Sequence, residues 1–348
     1  MPAMPGRPAK LQREYHWADY DDEALLCLRF KSLGLTLRGS PLWLDVERLY
    51  AELERRGLRF RPHVWLSTEW FSPDGIPGFA IPFYLAHPRL HRLERRMMGE
   101  VEGGTRKWRL RILRHETGHA IDNAYGLRRR TDFQRVFGRA SKPYPDDYSP
   151  RPSSDRHVLH LGHWYAQSHP VEDFAETFAV WLQPKACWRR EYAGWPALSK
   201  LEYVDALMDE IATSRPKRRD RSVIEPLRQV DDTLAEHYQL KRQRYGGEDR
   251  RYDRWMSRVF VPRATRPRAV SASSFVREIE PQLRRLLERR ARLHPYYLDH
   301  AISLVRRRAR QLDLVLRGPR REAKRPIVRL HERIVLDILR RNRENYAL

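Results

Sequence analysis

Residues 114–119 read Arg-His-Glu-Thr-Gly-His, so His115 and His119 stand four apart with Glu116 directly after the first histidine. On a helix, residues four apart lie on one face, one turn above the other. Two imidazoles at that spacing can hold one Zn²⁺, and Glu116, offset beside them, faces a water on that ion. The chemistry such a trio performs is hydrolysis: an acidified water as nucleophile, with a carboxylate to take its proton.

A second segment carries carboxylates at the same spacing. Residues 170–184 read PVEDFAETFAVWLQP, with Glu172 and Glu176 four apart and Phe174, Ala175, Phe178, Ala179 and Leu182 forming an apolar side. A carboxylate drawn inward with that side needs a positive partner, and a metal held by two histidines is one. Asp173 adjoins Glu172 but points off this face. The extended motif with glycine and histidine three and six residues beyond His119 is excluded, because Asp122 and Tyr125 occupy those positions. The third ligand is then a Glu on a later helix. Asp122 shares the histidine face but reaches the metal poorly, and suits the role of accepting a ligand histidine's second N–H. His157, His160, His163 and His169 are further substitutes, otherwise loop or core histidines.

HETGH, then Tyr165, then Glu172 seven residues on, then Phe-Ala-Glu, resembles the catalytic domain of lethal-factor-type zinc endopeptidases, a gluzincin arrangement. The resemblance implies Glu172 as the third zinc ligand, Glu176 as support for a zinc-bound histidine, and Tyr165 beside the metal, where its hydroxyl would help hold an oxyanion. The longer run RHETGHAID, WYAQSHPVEDFAETFAVWLQP and GWPALSKLEYVD is similar to bacterial proteins described as zinc-binding metallopeptidases, over roughly residues 15–212. FAVWLQP is also similar to a helix in short metallopeptidases that cleave phage-type repressors.

The elements that must position these residues follow from periodicity. Helices are expected over 21–33 and 42–56, strands over 60–67 and 78–85 with Pro73–Gly75 as the turn between them. By analogy with zincins, Phe79–Leu85 is a candidate for pairing with an extended substrate. Gly103 and Gly104 precede the HExxH helix, with Thr105 as its N-cap. Residues 142–154 read as an irregular loop, and 198–213 as a helix closing the unit. Helices are expected again over 223–245, 274–293, 295–316 and 326–345. The fold class is therefore α+β: a flexible leader (1–15), a zincin-like domain (16–212), a basic linker (213–222) and an arginine-rich helical region (223–348).

The charge is uneven. Residues 1–214 hold 32 Lys and Arg against 28 Asp and Glu, whereas residues 215–348 hold 36 against 17. Arg306, Arg307, Arg308 and Arg310 crowd one helix, and Arg317, Arg320, Arg321, Lys324 and Arg325 follow in an expected loop. Such a region could meet nucleic acid or an acidic protein. No apolar run approaches the ~20 residues of a membrane span, no secretory signal is apparent, and Cys27 and Cys187 make no disulfide framework; a cytoplasmic location is the default. The expectation is a zinc-dependent peptidase with one zinc per chain. The alternatives are a regulatory protease with one partner, such as a DNA-associated protein, and a non-catalytic zinc protein that docks through its basic helices.

Overall fold

The computed structural model describes residues 15–145, 147–148, 150–151, 154–245, 250–291, 295–341 and 346–347. Apart from Tyr15, the expected leader lies outside them. The chain is mixed α and β, mostly helical with small two-stranded sheets. It divides into two compact units: Met1–Leu93, Glu102–Lys142 and Asp155–His237 form the first; Glu94–Val101, Pro143–Ser154 and Tyr238–Leu348 form the second.

The elements from the start of the chain are α1 (Asp22–Leu26), α2 (Trp43–Arg55), β1 (His63–Ser67), β2 (Gly78–Pro82), α3 (Pro88–Met98), α4 (Arg106–Tyr125) and α5 (Thr131–Phe137). After β3 (Asp147–Tyr148) come α6 (Pro170–Leu182), α7 (Trp188–Glu191), α8 (Ala197–Ala212) and α9 (Leu234–Tyr245). The helix expected over 21–33 stops at α1. Leu28 O and Phe30 N–H bond to Leu234 N–H and Asp232 O, so this stretch pairs with a distant segment instead of continuing the helix. Residues 223–233, expected to be helical, are mostly irregular, and the other half of that pairing lies at their end, at Asp232 and Thr233.

β1 and β2 pair in parallel, His63 opposite Gly78 and Ser67 opposite Pro82, so residues 68–77 are a crossing, with the expected turn at Pro73–Gly75 inside it. β2 is buried throughout. Its Ala80 N–H is taken by Phe71 O on the side away from β1. The expected substrate-pairing strand therefore has its central amide already occupied, and past Pro82 it becomes a 3₁₀ turn.

α4 begins at Thr105, whose hydroxyl accepts from Trp108 N–H, and ends at Gly126 in the left-handed region. α6 begins with His169 accepting Val171 N–H through its ring and Pro170 in the first turn, where a missing N–H costs nothing. From Val171 to Leu182 α6 is buried on all sides, a central helix and not an amphipathic one. α4 and α6 cross at Gly118. A Cβ built there would lie 2.8 Å from Ala175 Cα and 3.2 Å from both Ala175 Cβ and Ala175 O. Hydrogen is the only substituent that allows this approach. On its other flank α4 is tied to α2 by Arg114, which donates to both oxygens of Glu52 at 2.7 and 3.0 Å with both side chains buried.

The second unit contains α10 (Asp253–Met256), β4 (Phe260–Pro262), α11 (Ala272–Ala291), α12 (Pro295–Gln311), β5 (Leu314–Leu316), α13 (Arg320–Arg341) and β6 (Tyr346–Ala347). β4 pairs antiparallel with β5, and β3 with β6. The helix expected over 295–316 thus ends at Gln311, and its last apolar residues form a strand. α13 begins six residues earlier than expected and takes in Arg320, Arg321, Lys324 and Arg325. α11, α12 and α13 share one apolar core, including Val276, Leu283, Ile302, Val305, Ile327 and Ile334.

The α4–α6 crossing yields a prediction. Gly118→Ala will separate the helices by a few tenths of an ångström, cost about 1–3 kcal/mol of stability and weaken metal uptake. Denaturant unfolding and zinc competition check both; wild-type values in each would show that the crossing tolerates a methyl.

Candidate metal centre

Three ligand-type atoms converge where α4 meets α6. His115 Nε2 and His119 Nε2 lie 3.0 Å apart, and Glu172 Oε2 lies 3.1 Å from the first and 3.2 Å from the second. All three residues are buried, and among the described residues they form the one group of three ligating side chains brought this close. The donor set fits zinc. Four donors at 2.0–2.1 Å in a tetrahedron stand about 3.4 Å from one another. Three acceptor atoms facing each other at 3.0–3.2 Å also need a positive centre between them.

The same arrangement of charges shifts the titration of these groups. Burial alone would push the His115 imidazole down, but hydrogen bonds to Glu172 and Glu176 outweigh it and hold the group well above the ordinary histidine range. Burial likewise opposes ionisation of Glu172, yet His119 and the bonds from both histidines hold its carboxyl well below the usual carboxylate range.

Glu176 stands behind the donors. It accepts His115 Nδ1–H at 2.9 Å through Oε1 and Leu161 N–H at 2.8 Å through Oε2. That bond leaves Nε2 as the ring's lone-pair atom on the metal side. Glu116 lies outside this set of contacts, and its Oε2 accepts from the Ser72 hydroxyl at 2.8 Å. The Tyr165 ring lies against His115, centroids 5.5 Å apart. Trp164 just before it has φ +53°, a costly conformation for a bulky side chain, in the turn that presents Tyr165.

Asp122 is not with this group. Its oxygens accept from Arg128 N–H at 2.8 Å and from the Arg128 guanidinium, because the chain folds back at Gly126 and brings Arg128 over the end of α4. It is an anchor for that turn and not the partner of a ligand histidine. The nearby histidines are also used elsewhere. His160 Nε2–H donates to Arg111 O at 3.0 Å, and burial pushes its imidazole down to about 4. Burial, with Lys200 and Arg156, pushes His157 down to about 4. His169 caps α6 and donates to Lys142 O. The His163 side chain lies outside the described residues. Asp173 points away to Lys200 at 2.6 Å, and burial pushes its carboxyl up to about 7.

Ser72 and Gly118 were missed from sequence. A lone serine 44 residues before its partner carries no pattern. Gly118 lay inside the motif, and a glycine within a helix is itself the signal of a close crossing.

Residues 95–192 match the sequence model of a family described as a putative zinc-binding metallo-peptidase. The match spans 98 of 348 residues and takes in both histidines, Glu116, Tyr165, Glu172 and Glu176. No curated protein and no solved structure matches the chain.

Because the imidazolium of His115 is favoured in the free protein and zinc needs the neutral ring, protons and zinc compete. Affinity should therefore fall as pH drops, starting above the ~6.5 of an ordinary histidine. Zinc titrations between pH 8 and 6, with proton release read in two buffers, will show this. A flat affinity across that range would place the ligands elsewhere.

Proposed function

We propose that the chain is a zinc-dependent peptidase of gluzincin type, with a zincin-like catalytic region. The observation that carries the reading is the division of labour among carboxylates: Glu172 sits with the two Nε2 atoms, Glu176 orients His115 from behind, and Glu116 takes neither role and is bound by the Ser72 hydroxyl. A closed structural site has four protein ligands and no need of a carboxylate poised as a base. The family match over this stretch supports the same reading.

Bound zinc supplies a Lewis acid that acidifies water and polarises a carbonyl. The residues do the rest. Glu116 takes a proton from the attacking water and passes it to the leaving amine as the C–N bond breaks. Glu176 keeps His115 in one tautomer and one orientation throughout. Tyr165, beside His115, would donate its hydroxyl to the carbonyl oxygen as charge builds there. The substrate class is a peptide or protein.

The second unit carries a basic surface of its own. Arg321, Arg325 and Arg329 stand four apart along the exposed face of α13, with Lys324 beside them. We propose this face as the contact for an anionic partner, a nucleic acid or an acidic protein. Charge reversal at Arg325 and Arg329 should then weaken binding to a polyanion such as heparin and flatten its salt dependence. Unchanged binding and slope would leave these residues as a solvated face.

For the hydrolytic reading, Glu172→Ala should lose most of the single zinc, whereas Glu116→Gln keeps zinc and loses turnover by roughly three orders of magnitude or more. Metal analysis and cleavage of an unfolded casein probe check both. Full zinc in Glu172→Ala, or normal cleavage by Glu116→Gln, would overturn the assignment.

A further inference from the structure

The crossing between β1 and β2 ends on the base. Phe71 O is fixed by Ala80 N–H, and the next residue, Ser72, places its hydroxyl 2.8 Å from Glu116 Oε2. The turn that follows is fastened to α4. Asn123 accepts Gly75 N–H at 3.0 Å and donates through Nδ2 to Pro73 O at 2.9 Å and Ile76 O at 3.1 Å. Arg128, itself held by Asp122, donates to Asp74 at 2.7 Å. Asn123 is two turns beyond Glu116 on the same side of the helix. One helix thus carries the carboxylate and anchors the turn that binds it.

We propose that Ser72 is a positioning residue for Glu116, on the hydrolytic reading above. A carboxylate has two oxygens and two rotatable bonds behind it. The Ser72 hydroxyl occupies Oε2, fixes the plane of the group, and leaves Oε1 to receive the proton. The turn 72–76 has little else to do at the centre. Its side-chain and long-range polar contacts run to α4 and to Arg128 just past the end of that helix.

The test uses the full zinc-loaded chain and acetohydroxamate, a small chelator whose O–H bond breaks on binding. The electron pair stays on the hydroxamate oxygen and the proton goes to the neighbouring carboxylate, so affinity reports on Glu116 without requiring a substrate. Ser72→Thr and Ser72→Val have the same shape and differ by the hydroxyl. Ser72→Val should bind acetohydroxamate about tenfold more weakly than Ser72→Thr, with equal zinc content and equal melting temperature. In a Glu116→Gln background the same pair should be indistinguishable, because Ser72 acts only through the carboxylate. On casein peptides the loss should fall on kcat, with KM kept.

Equal affinities for the Thr and Val variants, or the same difference persisting with Glu116→Gln, would overturn the proposal. A wild type that binds zinc and acetohydroxamate but cleaves no peptide would sink the hydrolytic reading while the Ser72 comparison still gave its own answer. A chain that takes up no zinc would overturn both.

Discussion

The contact between Gly118 and Ala175 is the constraint on which the site depends. Packed helices ordinarily keep their axes 8–10 Å apart, a spacing set by the side chains between them. Here the backbones touch, because position 118 contributes only a hydrogen and position 175 only a methyl. His115 and His119 flank the contact on α4, and Glu172 and Glu176 flank it on α6. A metal centre tolerates errors of a few tenths of an ångström in its donors. Side chains from two helices meet that tolerance only if the helix spacing cannot drift.

Placing charged groups at such a crossing requires that each find a partner. Arg114 has Glu52, His115 has Glu176 and Glu172, and Glu116 has Ser72. Buried ion pairs of this kind seldom add much net stability, since desolvation offsets most of the attraction. Their effect is on orientation. Arg114 precedes His115, so the bidentate bond to Glu52 fixes the rotation of α4 about its axis just where the ligands begin. The three pairings use three different neighbours: α2 for the arginine, α6 for the histidine, and the crossing between β1 and β2 for the glutamate. The two-stranded sheet thus contributes a hydroxyl to the centre through its connection and not through its edge.

What was legible in the sequence was what repeats locally. The i, i+4 spacing of His115 and His119, and of Glu172 and Glu176, is a property of one helix at a time, and so is the cap at Thr105. Asp122 shared that periodicity, but its partner Arg128 lies past the helix end, where the left-handed Gly126 turns the chain back. Helical spacing does not describe that return. Ser72 reaches Glu116 from the connection between two parallel strands, and the turn read at Pro73–Gly75 does not by itself reveal that pairing. The spacing of Leu312 and Leu316 reads as helical, and pairing with Phe260–Pro262 decided for a strand over Leu314–Leu316.

The basic composition of the last third misled in a more instructive way. Arg306, Arg308 and Arg310 looked like a crowded cationic face, yet α12 is only partly exposed along that stretch. Arg306 donates to Glu280, Arg308 to Asp253 and Arg310 to Gly99 O. Arginine suits this use because its planar fork offers five donors on an apolar stem, so it can cross a packed helix layer and satisfy a distant oxygen. Net charge counts the cations and says nothing of their partners. A charged surface is a matter of which side chains remain after internal pairing. Arg321, Arg325 and Arg329 along α13 are exposed, in a segment whose start the sequence had assigned to a loop.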